Sequence, residues 1–365
     1  MMRKIALIFV LGMGMLVAGT PEKARQLTRA YEQAYGTWTE DVRSAPDNDA
    51  QNAAWVRRPD PLAAGKEIWA EIRDELSEAW SLDYSAWLLV NTPGAVLEAA
   101  TGQVTPARQI QQSVEKFHLK NPKVGPYCIA LTHVQDPRAM GMLAKIEEVN
   151  PDPAVRGVAA LGQAILHRRL GDEKHGMYHR QEKLRAAIKA PNLVVGRTTT
   201  EEILKDEIFR MTKLTVGTKA PNFRGVEITT KVSKLSDYQD QVVILFFWNA
   251  LMPAHDQTLE LMRRYQEEFE GKNVVILGVN MDNPLTLRKH IADGTVTWKN
   301  FSDSSQTLSK LYRIERWPYV YVLDQNQTIR YSGEPGSFVK ITAQDLLLQP
   351  PPKMAPESLE GDDGR

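Results

Sequence analysis

Two side chains with chemistry of their own stand three positions apart in the stretch FFWNALMPAHDQ, residues 246–257. Met252 carries a thioether, which cannot ionise but can ligate a soft metal, and His255 carries an imidazole, which can move a proton or bind Zn or Cu. Pro253 and Ala254 form a short turn between them, and Asp256 follows where a helix start favours negative charge. Two ligands make an incomplete metal site. A second group lies in HRRLGDEKHGMYH, where His175 and His179 stand at i, i+4 with His167 nearby. A helical His pair of that spacing can hold Zn or Cu, although histidines on a charged helix usually face solvent. Met252, His255, His175 and His179 are therefore the metal candidates, and no cofactor is expected.

The other reactive groups are few. The chain has one cysteine, Cys128, in GPYCIALTHV, so no intrachain disulfide can form. Its apolar setting suits a small buried hydrophobe better than a reactive thiol. The sequence contains no Gly-x-Ser-x-Gly elbow, no His-Glu-x-x-His pair and no phosphate-cradling glycine loop. His255 has the chemistry of a base, but no nucleophile stands beside it.

The elements that must position these groups fall into two textures. Residues 20–213 read as helix after helix, an irregular array of HEAT- or TPR-like hairpins. The clearest pair is DPRAMGMLAKIEEV and DPAVRGVAALGQAILHRRL. Each opens with Asp then Pro, a capping residue followed by the residue best suited to the first helical position. Around residues 136–170 this pair resembles a HEAT-type repeat, without a second copy at a fixed period. The stretch TTTEEILKDEIFRM opens with a capping box, Thr198 or Thr199 against Glu201 or Glu202. Near residue 214 the texture changes, and residues 214–348 alternate strand, helix, strand, helix, strand, strand. QVVILFFW and NVVILGVNMD are apolar runs of strand length, as in strands buried on both faces. YVYVLDQNQTIRYSG reads as a hairpin.

At 365 residues the chain has room for about two domains. Lys plus Arg and Asp plus Glu number 45 each, so no charge excess points to nucleic acid. Residues 1–19 combine a positive start, an apolar run too short for a comfortable membrane span, and small residues at Ala18 and Gly19. That is the pattern of a secretory signal peptide, which implies export to the periplasm or cell envelope. No other stretch is apolar enough to span a bilayer. Residues 349–365 are Pro-rich and polar, the composition of a disordered tail.

Residues 215–345 carry a recognisable order of pieces: VGTKAPNF, VSKLSDYQDQVVILFFWNA, VVILGVNMD, and LSKLYRIERWPYVYVLDQNQTIRYSG. Together they resemble the thioredoxin-fold redoxins of the TlpA and ResA type, related to AhpC/TSA. The resemblance implies a C-terminal thioredoxin-like α/β domain after the helical array. It also implies that the family's Cys-x-x-Cys falls on Met252, Pro253, Ala254 and His255, and its cis-proline on Pro318 after Trp317.

Thioredoxin chemistry needs a thiolate of lowered pKa and a second thiol to resolve the mixed disulfide. Neither is present at these positions. What the resemblance leaves is a binding module, not an enzyme. Its groove would be lined by Trp248, Trp317 and Met252 beside Pro318, and its ligand would be a protein or peptide. Two alternatives stand beside it: a thiol-disulfide oxidoreductase or antioxidant, as the family implies, and a soft-metal binding protein.

Overall fold

The computed structural model describes residues 19–45, 48–92, 104–134, 136–169, 174–188, 192–229, 231–250, 252 and 254–348. The expected signal peptide, apart from Gly19, and the tail of residues 349–365 lie outside the described residues. The chain divides into two compact units, one comprising the chain up to Asp41 with Arg57–Leu204, the other Val42–Val56 and Lys205 onward. Among the described residues, no helix is long and apolar enough to cross a membrane.

The N-terminal region is helical, as the sequence leads one to expect. Its helices are α1 Pro21–Ser44, α2 Asn48–Val56, α3 Pro61–Ile72, α4 Ser81–Asn91, α5 Pro106–Ser113, α6 Gly125–Ala130, α7 Arg138–Val149, α8 Pro153–Arg169 and α9 Lys174–Ala187. A two-residue strand pair, β1 Val194–Val195 and β2 Thr198–Thr199, leads into α10 Thr200–Lys213. The Asp-Pro start of α8 acts as read, whereas α7 begins at Arg138, one residue after its proline. Asp136 accepts from the Arg138 amide at 2.9 Å and Asp152 from the Ala154 amide at 2.8 Å. The capping box forms between Thr199 and Glu202, each side chain accepting from the other's main-chain N–H at 3.2 and 3.0 Å.

Helix α8 is the centre of the first unit. It is buried on nearly every side from Val155 to Ile165 and packs against α6, α7 and α9. A helix apolar all round has no solvent face to offer, so its neighbours must surround it. Gly162 permits the closest approach: a Cβ there would lie 2.9 Å from the Cys128 carbonyl and 3.0 Å from Leu143.

In the second unit, β3 Arg224–Val226 and β4 Val232–Lys234 form a hairpin. The main sheet comprises β5 Val242–Trp248, β6 Val274–Asn280, β7 Lys299–Ser302, β8 Tyr319–Leu323 and β9 Ile329–Gly333. Its order is β7-β6-β5-β8-β9. β5, β6 and β7 run parallel, whereas β8 and β9 are antiparallel additions. The remaining helices are α11 His255–Glu268, α12 Pro284–Ala292, α13 Thr307–Leu311 and α14 Ser337–Leu348. This is the α/β domain that the resemblance implies.

The period of two along β5 divides the domain into two cores. Val242, Ile244, Phe246 and Trp248 point into one, with Leu259 and Met262 of α11 and Val339 of α14. Val243, Leu245 and Phe247 point into the other, with Phe301, Tyr312 and Tyr321. Both outer strands are met by other chain. Glu227 bridges to Phe301 of β7 and the Ile228 amide donates to Asn300, while Lys219 bridges to Thr328 and the Gly217 amide donates to Ile329 of β9.

Candidate functional site

Strand register gathers the site at one end of the sheet. Trp248, last in β5, is level with Asn280, last in β6. Because β8 runs against β5 with Tyr319 opposite Phe247, Pro318 arrives at the level of Trp248. The Trp317–Pro318 peptide bond is cis. Trp317 is half-buried and packs against both cores, and its indole N–H is buried without a hydrogen-bond partner among the described residues.

Trp248 is not a groove residue. It is fully buried, and its indole donates to Asn300 Oδ1 at 3.0 Å while the Asn300 amide donates to the Trp298 carbonyl at 2.8 Å. Met252 is buried too, in the same core. The sequence could not separate a strand-end aromatic that lines a surface from one that ends a strand buried on both faces, and the second is what occurs. Of the four residues expected at the groove, Trp317 and Pro318 are the ones that stay partly exposed. Ala254 takes a left-handed conformation at the α11 start, with φ 51°, and Pro253 lies outside the described residues.

His255 opens α11. Its Nδ1 faces Asp256 Oδ1 at 3.1 Å, and its Nε2 is buried with no hydrogen-bond partner among the described residues. His290 of α12 comes beside it, the ring centroids 5.5 Å apart, and both rings contact Trp248, at 6.2 and 6.0 Å. Asp282 follows β6, near enough for both imidazoles to act on its charge. Its Oδ2 accepts from the Ala250 amide and the Asn280 side chain, both at 2.8 Å. Burial pushes its carboxyl above the ordinary range, against these two hydrogen bonds and the attraction of His290 and His255. His290, Asp282 and Asn300 escape sequence reasoning because nothing local marks them; the fold brings His290 to His255 and Asn300 to Trp248.

The other candidates lie apart. The His179 ring stacks nearly parallel on His167 at 5.7 Å and approaches Glu182 at 4.0 Å, while the His175 side chain lies outside the described residues. Among the described residues, no three His, Cys, Asp or Glu side chains come together to hold a metal ion. Cys128 is fully buried in α6, and its thiol is pushed up to about 12 by that burial.

Comparison with known proteins bears on the second unit alone. The AhpC/TSA family matches residues 216–332. These residues form an AhpC/TSA-type thioredoxin-like domain. The thiol-disulfide oxidoreductase ResA of Geobacillus kaustophilus is 24% identical over 120 residues, covering 33% of this chain and 69% of the relative. Among solved structures, a thiol:disulfide interchange protein DsbE from Chlorobium tepidum is similar over 36% of this chain and 98% of its own, with 24% identity and a TM-score of 0.34. StoA from Bacillus subtilis is similar over 31% of this chain and 87% of its own, with 20% identity and a TM-score of 0.28. Cys128 falls outside the matched residues, so the thioredoxin-like domain of this chain contains no thiol.

Proposed function

We propose that the thioredoxin-like domain binds a protein or peptide segment at the Trp317–Pro318 edge and does not exchange thiols. The observation that carries this reading is the absence of cysteine throughout residues 216–332. By resemblance, Met252 and His255 stand where the redox pair would be, and neither a thioether nor an imidazole can form a mixed disulfide. What persists is the cis Trp317–Pro318 bond with a half-buried indole. An extended segment laid along that backbone would bind in the manner of an added strand, with main-chain hydrogen bonds for affinity. In this reading residues 214–348 are the binding module and residues 20–213 a helical scaffold. The leader-like N-terminus favours work outside the cytoplasm.

A thiol-disulfide oxidoreductase is the second reading, favoured by the family match. It would have to use Cys128, which has no solvent access and is protonated at any ordinary pH.

The test is the affinity of the purified chain for an unfolded, carboxymethylated protein, read by fluorescence anisotropy. Trp317→Ala should weaken binding about tenfold or more, as loss of an aromatic anchor does, and Pro318→Ala should weaken it as well. Unchanged affinity in both variants would refute the edge, and insulin reduction by the wild type would refute the absence of thiol exchange.

A further inference from the structure

His255 and His290 meet in a way that the other histidine pair does not. The rings of His255 and His290 are inclined at 45° with centroids 5.5 Å apart, and both lie against the Trp248 indole. With metal–nitrogen bonds of about 2.0–2.1 Å, two imidazoles sharing one ion bring their centroids to roughly 5–6.5 Å. His167 and His179 are similarly close, but His179 is half-exposed and its Nδ1 faces Glu182 at 4.0 Å.

Asp256 favours one tautomer of the neutral His255 ring. A carboxylate oxygen cannot donate, so Nδ1 carries the proton toward Asp256 and the neutral ring keeps its lone pair on Nε2. A histidine whose second nitrogen is oriented by a carboxylate is the usual arrangement of a metal ligand. Here Nε2 is buried and unpartnered, and an orphaned polar atom of that kind asks for an occupant. The His290 ring makes no hydrogen bond among the described residues. Asp282 adds a half-buried carboxyl that accepts from two N–H donors and forms no ion pair among the described residues. The thioether of Met252 belongs to the same core as Trp248 and Leu287 of α12.

The donor set narrows the ion. Zinc sites take at least three protein ligands, and no such trio of His, Cys, Asp or Glu exists among the described residues. Cu(I) held by two imidazole nitrogens alone is linear, which would set the centroids roughly 6.4 Å apart; the 5.5 Å seen here suits a bent pair completed by a soft third donor, the thioether of Met252, with an indole face nearby. We propose that His255 and His290 ligate one Cu(I) ion beneath Trp248, with Asp282 supplying compensating negative charge. This goes beyond peptide binding at Trp317 and does not depend on it.

The experiment is an anaerobic titration in which the full chain competes with bicinchoninate for Cu(I). One equivalent should be withdrawn from the chelator, with quenching of tryptophan emission. His255→Ala and His290→Ala should each weaken the affinity at least tenfold, while His179→Ala should leave it unchanged. Zn(II) should not bind stoichiometrically. Variants are compared only where circular dichroism shows the native fold; if His290→Ala fails this, His290→Asn takes its place, and the Cu(I)-induced rise in melting temperature must vanish in it. Failure to compete with bicinchoninate, or equal affinity in wild type and the His290 variant, overturns the site. Loss of peptide binding in Trp317→Ala with Cu(I) affinity intact separates this proposal from the one before it.

Discussion

Arg210 donates a hydrogen bond of 2.7 Å to the main-chain carbonyl of Arg313. The contact is reciprocated: Arg313 bonds Asp206 at 2.7 Å and places its guanidinium over the Phe209 ring at 4.4 Å, and Arg210 also pairs with Glu315 at 2.6 Å. Arg313 itself is left-handed, with φ 52°. A helix outside the family-matched residues therefore holds the loop that delivers Trp317 and Pro318.

Arg210→Ala should lower stability by about 2–3 kcal/mol, the scale of a charge-assisted hydrogen bond whose acceptor is left unpaired. The Arg210 side chain is only 13% exposed, so solvent cannot replace the contact. Urea unfolding measures the loss, and peptide affinity at Trp317 should fall with it.

Cys128 gives a prediction in pH. Its thiol ionises near 9.0 when unfolded and near 12 in the native state, so native stability is full below pH 9 and falls as pH climbs toward 12. Cys128→Ala should remove that part of the alkaline loss. At pH 8 the native thiolate fraction is roughly 10⁻⁴, so a disulfide reagent should label no native thiol in minutes and one thiol per chain in denaturant. Rapid labelling of the folded protein would contradict the packing of α6 on α8.

Asp282 titrates at the other end of the scale. Its native carboxyl is raised by burial, so its favourable contribution is complete below its ordinary 3.8 and is lost as pH rises through the raised value. Asn in its place resembles the protonated acid. Asp282→Asn should therefore be more stable than wild type near pH 7 and should lose this advantage toward pH 3.5, as followed by thermal unfolding. A difference independent of pH would show that the carboxyl is not strained by burial.

Gly278 and Asn300 should fail together. A Cβ on Gly278 would sit 1.9 Å from Asn300 Oδ1, the atom that accepts from Trp248. Gly278→Ala should cost about 1–3 kcal/mol by overpacking, and Asn300→Ala about 1–3 kcal/mol by leaving the Trp248 N–H unpaired. Both break one contact, so the double variant should cost less than the sum. Chemical denaturation of the four proteins in the cycle measures it.

The strong periodic segments were legible in the sequence. β5 and β6 announce themselves as apolar runs, α7 and α8 by Asp-Pro starts, and α10 by its capping box, because each signal is local. β7, KNFS, was missed: it is short and polar at its ends, and its strand state comes from pairing with β6. The hairpin of β3 and β4 was missed for the same reason. At the site, Met252, His255 and Pro318 were found from motif order, whereas the burial of Trp248 and the arrival of His290 depend on how the fold packs, which no local pattern encodes.

The bridges at Phe301 and Thr328 have a consequence for behaviour in concentrated solution. A bare outer strand is a template on which another molecule can stack, and repeated stacking leads to fibrils. Here the chain's own residues 217–219 and 227–228 occupy part of each border, so lateral polymerisation meets a strand already engaged. The protein gains a guard against self-assembly that uses neither Trp317 nor Pro318.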